Sequence, residues 1–328
     1  MAILADHTNI PSPFSRLKGL LKRCFSPEYR RPRLYLGDHS ISYSTQDFVW
    51  SKMADEICRE ELDISATEIL SIMSDGLPDN TALILSIRKN VNGLFHLDYT
   101  LRDIYRSMDI ARDSRTFSQE QKKLYPGRFH VDPLFHRQGV GRILMFNLLR
   151  LGRQLGLESF NAYASDENGM LTWPKMGFKL ETEEDSELFV DYCDYAFGFF
   201  APFLDEETHR LYKDRLDGLD PKDPYSVWDV VSMKAPLNAT DSDIERAIRQ
   251  LAFCESGYPE ESIGIKKQAK TFAEVLLYCE SYDCVFDFND PAQIAKLEEY
   301  CGRCFKTGNR IEKPAKQTGY VPITRFPV

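Results

Sequence analysis

Apolar and polar positions along this chain follow two periods. Val140, Leu144, Leu148, Leu151 and Leu155 fall at steps of 4, 4, 3 and 4, with Arg142, Arg150 and Arg153 off that line. This is one face of a 3.6-residue period and predicts an amphipathic helix. Residues 81–88 (TALILSIR) read as a buried strand. Asn92-Gly93 marks a hairpin turn, and residues 94–101 alternate as the return strand. Further strands are expected at 105–111, 128–131 and 160–165. Pro133 stops the second of these, because it has no N–H to give a ladder. Residues 44–72 read as helical through Val49, Met53, Ile57, Leu62, Ile69 and Ile72, either as one helix or as two. Two are suggested by Ser65 and Glu68, which have the spacing of a capping box. Residues 75–79 (DGLPD) form a turn cluster.

Beyond Phe178 the pattern changes. Residues 181–185 are acidic, 192–204 are rich in aromatics, and a polar helical stretch runs through Arg215. Residues 226–237 (SVWDVVSMKAPL) predict a final strand returning to the sheet, which makes 181–225 an insertion. Residues 237–305 read as helices, with Thr240 or Asp241 capping the first and Pro291 in the first turn of the last. The resulting organisation is a basic arm (1–35), a helical segment (36–74), a catalytic or binding domain (75–237), a helical region (238–305) and an irregular tail (306–328). The class is α/β, a mixed and mostly antiparallel sheet with flanking helices.

Composition narrows the function. The 328 residues carry a net charge of −9, which argues against nucleic acid as a partner. No apolar run reaches 18 residues, so no integral membrane segment is expected. The start of the chain lacks a charged-then-apolar signal pattern, which favours a cytoplasmic location. The arm is the exception to the acidic balance. It holds Arg16, Lys18, Lys22, Arg23, Arg30, Arg31 and Arg33, and 14–25 can form a short basic amphipathic helix. That segment reads as an arm docking on the acidic body, with contact to an anionic membrane as the other reading. Eight cysteines are too few for a disulfide scaffold.

The most informative stretch is 130–141 (HVDPLFHRQGVG), where a strand ends and a turn with Gly139 and Gly141 feeds straight into the amphipathic helix. Unbonded N–H groups and the positive end of the helix dipole converge at such a start, which suits a phosphate or diphosphate. Glycines let the ligand reach the main chain with no Cβ in the way.

Residues 131–141 (VDPLFHRQGVG) resemble the acyl-CoA diphosphate loop of the GNAT superfamily of N-acetyltransferases. That pattern reads Arg or Gln, two free positions, Gly, one free position, then Gly or Ala. Residues 168–178 (NGMLTWPKMGF) resemble the short helix and "GF" ending that follow the family's fifth strand. The resemblance implies a GNAT-like sheet, acetyl-CoA as acyl donor and direct transfer to an amine in a ternary complex. It also implies that strands 128–131 and 160–165 splay around the CoA arm. Val131, His136, Arg137, Gln138, Gly139, Val140, Gly141, Arg142, Asn168 and Trp173 then become the cofactor-binding candidates. The chain departs from the pattern twice. His136 replaces the usual Arg or Gln, and Trp173 stands where many members place the tyrosine that protonates the thiolate. Indole N–H is a donor, not a practical acid.

Catalytic candidates are His130, Asp132 and Tyr163. An imidazole exchanges its proton near neutral pH and suits a general base. His130 and Asp132 would face the same side of their strand, and His96 and Asp98 are rivals. Tyr163 is the best relocated acid, since Asn161, Tyr163 and Ser165 share a strand face. Cys279, Cys284, Cys301 and Cys304 have spacings that can build a zinc site, but buried unligated thiols are commoner, and no metal is expected. The first expectation is an acyl-CoA-dependent N-acyltransferase acting on a small-molecule or peptide amine, with a homodimer allowed. The alternative is a non-catalytic GNAT-fold protein that binds acyl-CoA or regulates.

Overall fold

A computed structural model of the chain describes residues 33–36, 55–56, 58–90, 92–164, 169–256, 271–277, 281–306 and 308. The basic segment 1–32, Ser165, Asn168, Cys279 and the tail beyond 308 lie outside the described residues. The chain divides into two compact units, one drawn from Met1–Ser114 and Arg128–Leu144, the other from Arg115–Gly127 and Met145–Gln317.

In the first unit the strand order is β1 (Arg33–Leu36), β2 (Thr81–Lys89), β3 (Phe95–Asp103), β4 (Met108–Ser118) and β5 (Lys123–Val131). Strands β4 and β5 each continue into the stretch of chain that belongs to the second unit. β1 runs parallel to β2, whereas β2 and β3 pair antiparallel from Thr81↔Asp103 to Lys89↔Phe95. The expected hairpin is present. Gly93 takes φ +77°, and the Asn90 carboxamide oxygen accepts from the N–H groups of Asn92 and Leu94. The period-2 pattern explains the core on one face: Leu83, Leu85 and Ile87 are buried opposite Leu101, Tyr99 and Leu97. Helix α1 (Ala66–Ser74) buries Ala66, Ile69 and Met73. It starts at the expected capping box, with Ser65 and Glu68 bonding each other's backbone N–H.

The second unit continues the order β4-β5-β6-β8-β7, with β6 (Ser159–Ala164), β7 (Lys179–Leu180) and β8 (Tyr282–Asp287). β5 and β6 are parallel and pair only at Lys123↔Ser159 and Leu124↔Phe160. From there β6 pairs along its length with antiparallel β8, and β8 with β7. Helix α2 (Val140–Gln154) begins in the first unit and runs into the second. Helix α3 (Gly169–Lys175) links β6 to β7. Helices α4 (Glu183–Phe200), α5 (Glu206–Asp217), α6 (Ser226–Val231), α7 (Asp241–Ser256) and α8 (Phe272–Leu276) separate β7 from β8 along the chain. Helix α9 (Pro291–Cys301) follows β8, with Asp290 as N-cap and Pro291 in its first turn as expected. The mixed, mostly antiparallel sheet with helices is the class that the sequence implies. Among the described residues no helix is long and apolar enough to cross a membrane.

Two expectations are overturned. Residues 226–237 do not form the returning strand. Val227, Val230 and Val231 are buried at helical spacing on α6, and the Trp228 indole N–H donates to the Phe178 carbonyl at 2.6 Å. Three valines in a row of seven residues suit either period, and burial against α3 and β7 selects the helix. The returning strand is β8, inside the region 238–305 that reads as helices throughout. Its alternation of buried Tyr282, Cys284 and Phe286 with less buried neighbours is regular, but only six residues long.

The core of the second unit is aromatic. Phe178 packs on Phe160, Trp173 and Phe286 at centroid distances of 5.3, 4.9 and 5.4 Å. Beside it, fully buried Gln293 donates from Nε2 to the carbonyls of Gly177 and Val285, at 2.8 and 2.7 Å, and accepts from the Asp287 N–H at 2.9 Å. Gly177 has φ +93°, and a Cβ there would stand 2.4 Å from the Gln293 carbonyl oxygen. Gly156 has φ +72° but opens onto empty space. Gly156→Ala should therefore lose only the left-handed backbone term, about 1 kcal/mol. Gly177→Ala adds a clash with main chain and should lose about 2–4 kcal/mol. Equal losses in urea denaturation would contradict the close approach.

Candidate functional site

The strand–loop–helix element lies within the first unit and is held by its own backbone. Strand β5 ends at Val131, and the Asp132 N–H then donates to the Ile110 carbonyl of β4 at 2.8 Å. The Asp132 carboxylate accepts from the Leu134 N–H at 2.9 Å and caps a 3-10 turn over Pro133–Phe135. Phe135 anchors that turn in the core. His136 closes it: its N–H donates to the Pro133 carbonyl, and its Nε2–H donates back to the Val131 carbonyl at 2.8 Å. Gln138 donates from Nε2 to the Leu134 carbonyl at 2.9 Å. Arg137 and Gly139 both have positive φ, at +61° and +80°. The chain thus reverses within a few residues, and buried Val140 starts α2.

The start of α2 is bare. The Gly139 carbonyl accepts from the Ile143 N–H at 3.1 Å, so Gly139 is the residue before the first turn and has no side chain to cap it. Among the described residues, no acceptor meets the N–H groups of Gly139, Val140 or Gly141. The first turn contains no acid and carries Arg142. Helices α4, α5 and α7 differ, each placing at least two acids in the first turn. A cation at a helix start works against the dipole, and an anion bound there reverses the sign. Gly141 serves a second need. A Cβ there would lie 3.3 Å from Val131 Cγ2 and 3.4 Å from Phe129 Cε1, so its small size lets α2 sit closely on the end of β5.

The structure therefore brings Val131, Asp132, His136, Arg137, Gln138, Gly139, Val140, Gly141 and Arg142 into one turn. His130 is exposed near the end of β5. Asp132 differs from a free base because its carboxylate already caps the turn. The rivals on β3 are engaged too: His96 Nε2 pairs with the Asn90 amide at 3.3 Å, and Asp98 accepts from Ser114 Oγ.

Tyr163 and Trp173 belong to the second unit. Tyr163 is 50% exposed on β6, and its hydroxyl donates to Ser281 Oγ at 2.9 Å. Asn161, two residues earlier, donates to Glu181 at 2.6 Å. Trp173 is buried, edge-on to Phe160 at 5.9 Å, with the Arg115 guanidinium 5.9 Å from its ring. It is a packing residue of the aromatic core. Asn168 lies outside the described residues. Cys284 faces the core on β8, where burial pushes its thiol up, the opposite of what a thiolate ligand needs. Among the described residues, no three His, Cys, Asp or Glu side chains are grouped to hold a metal.

Sequence reasoning missed one polar cluster. Lys179 on β7 lies 3.3 Å from both the Tyr225 hydroxyl and Asp290, and the Tyr225 hydroxyl donates to Asp290. Its members are 46 and 65 residues or more apart in sequence, with no motif to join them. Burial pushes the Asp290 carboxyl up, but bonds from Tyr225, the Gln293 N–H, Lys179 and the Ala292 N–H hold it below its usual value. Burial pushes Lys179 down, and Tyr225 and Asp290 more than offset this. The cluster ties β7 to α6 and α9 and is structural.

No protein family, curated protein or solved structure matches this chain.

Two outcomes follow. A depressed Asp290 contributes stability that is present above its unfolded pKa, near ~3.9, and is lost as pH falls through the folded value. Asp290→Asn should thus cost about 1–2 kcal/mol at neutral pH and converge on the parent below pH ~4 in denaturation curves. A gap that persists at low pH would contradict the ionised carboxylate. Trp173→Ala should cost about 3–5 kcal/mol as a core truncation; a loss under ~1 kcal/mol would mean that its ring serves a ligand instead.

Proposed function

We propose that this chain is an acyl-CoA-dependent N-acyltransferase, with acetyl-CoA as donor and an amine as acceptor. The bare start of α2 carries the reading: a helix without cap or acid, opened by Gly139 and Gly141 straight after a strand, and flanked by Arg137 and Arg142. The N–H groups of Gly139, Val140 and Gly141 suit the oxygens of a diphosphate, and the two arginines add charge. The likeness of residues 131–141 to the GNAT diphosphate loop supports the same assignment.

In this reaction a neutral amine nitrogen attacks the thioester carbon and forms a tetrahedral intermediate. The C–S bond then breaks, the thiolate leaves, and an amide remains. His130, exposed near the strand end, accepts the proton that the amine gives up. CoA thiol is far more acidic than an amide nitrogen, so the thiolate needs little help to leave. In this reading Tyr163, whose hydroxyl donates to Ser281 Oγ, is not required as the acid.

Trp173 supports a second reading, an acyl-CoA-binding protein without turnover. The residue at the family's usual acid position is here a core packing residue.

Gly139→Glu places a carboxylate where the diphosphate would lie. It should weaken CoA binding at least about a hundredfold by calorimetry, as expected for the loss of two charge-assisted hydrogen bonds. Unchanged affinity in a folded variant would remove the loop assignment. Tyr163→Phe should lower kcat less than tenfold, whereas the loss of a required proton donor costs about 10²–10⁴-fold. CoA binding without acyl transfer across a panel of amines would select the second reading.

A further inference from the structure

Among the cysteines whose side chains are described, Cys58, Cys193 and Cys284 are buried, whereas Cys301 and Cys304 are partly exposed. Burial pushes the Cys58 thiol up to about 12 and raises that of Cys284 as well, which keeps both unreactive. The two exposed thiols are separated by Gly302 and Arg303, at the end of α9. The local structure holds this pair in one turn. Buried Gln293 and Leu297 anchor α9 in the core. Gly302, with φ +63°, ends the helix in the left-handed conformation and turns the chain. Glu298 then meets both sides of the turn. Its carbonyl accepts from the Gly302 N–H at 2.7 Å, and its carboxylate accepts from the Phe305 N–H at 2.7 Å. Residues 302–305 thus fold back over the last turn of α9. Phe305 pins the far side, fully buried and edge-on to Phe146 and Phe286, each at 6.1 Å. In a turn, residues three apart lie within about 7 Å from Cα to Cα, the span that a disulfide bridges. A Cβ at Gly302 would meet nothing within 4 Å, so the turn has room to take up ring closure.

A Cys-x-x-Cys pair serves either as half of a metal site or in thiol–disulfide exchange. A tetrahedral zinc needs further ligands. Among the described residues no third His, Cys, Asp or Glu joins the two thiols to hold a metal. Exchange needs only two neighbouring thiols that solvent reaches, and the turn supplies both conditions. We propose that Cys301 and Cys304 are a redox-active dithiol, oxidised by a low-molecular-weight disulfide of the glutathione disulfide class. One cysteine, as thiolate, attacks a sulfur of that disulfide. A mixed disulfide forms, and the first glutathione leaves as a thiolate. The other cysteine, as thiolate, attacks the protein sulfur of the mixed disulfide, and the second glutathione leaves. The pair gives up two electrons and two protons, and the small disulfide takes them up as two thiols. Only two residues lie between the cysteines, so the second attack is intramolecular and outruns capture of another glutathione. This chemistry is independent of the acyl-CoA loop.

Arg303 lies between the two cysteines and gives a direct readout, because trypsin cuts the chain after it. The full-length protein is equilibrated in mixtures of reduced and oxidised glutathione, alkylated and digested for mass spectrometry. In oxidising mixtures the fragments 297–303 and 304–306 should stay joined by one disulfide. In reducing mixtures they should separate, each with an alkylated cysteine. The joined form should exceed any link to Cys58, Cys193 or Cys284 at least tenfold and should reverse with excess reduced glutathione. Cys301→Ser and Cys304→Ser should each abolish the link and leave the remaining cysteine capped by glutathione, with unchanged circular dichroism. Two alkylated thiols in the most oxidising mixture, or two glutathione adducts without a link, would overturn the proposal. So would a disulfide between chains, or a stoichiometric metal ion that either variant releases.

Discussion

The carboxamide of Gln293 meets three backbone groups at once: the carbonyls of Gly177 and Val285 and the N–H of Asp287. In a fully buried setting each of these groups would cost free energy if left without a partner. The close approach that allows it leaves no room for a Cβ at position 177. This contact fixes where α3 ends, how β7 enters the sheet and how α9 lies on β8. The aromatic core of Phe160, Trp173, Phe178 and Phe286 is assembled around the same turn. The "GF" ending is therefore a packing requirement as much as a motif. Gly177 makes room for Gln293, and Phe178 fills the core next to it.

A different constraint shapes the first unit. A helix that follows a strand after so short a turn leaves its first N–H groups without carbonyl partners. Other described helices meet that need with a side-chain cap: Thr182 for α4 and Asp205 for α5, each with acids in the first turn, and Asp290 for α9. At α2 the sequence supplies glycine instead of a cap and arginine instead of an acid. The polar side chains nearby do not compensate. Asp132 caps the preceding 3-10 turn, His136 returns to Val131, and Gln138 returns to Leu134. All three hold the loop in shape while the helix start is left for another acceptor. That is the physical content of the acyl-CoA proposal, and it depends on backbone geometry more than on any one side chain.

Much of this was legible in the sequence wherever a local rule dominates. The hairpin at Asn92-Gly93, the capping box at Ser65 and Glu68, the start of α9 at Pro291 and the face of α2 each follow from residues within one or two turns. The failures came where distant contacts decide. The valines of 226–231 suit both periods, and only packing against elements some fifty residues earlier, such as the Phe178 carbonyl, makes them a helix. Strand β8 pairs with β6 across more than a hundred intervening residues, and six residues of alternation do not advertise that partner. The Lys179–Tyr225–Asp290 cluster is likewise visible only after folding. In the candidate site the shape of the loop was legible because Pro133 and Gly139 write it, and the chemistry proposed for it is backbone chemistry. The side-chain roles were less so, since the hydrogen bonds that engage Asp132, Tyr163 and His96 leave no mark in residue spacing.

The most direct measurement of the central claim is the response of individual backbone amides to CoA, read by amide nuclear magnetic resonance on deuterated protein. If the start of α2 is the diphosphate site, the amides of Gly139, Val140 and Gly141 shift together and saturate at one affinity, while those at the capped starts of α5 and α9 stay in place. Saturable binding of CoA that leaves the three loop amides unmoved would contradict the account.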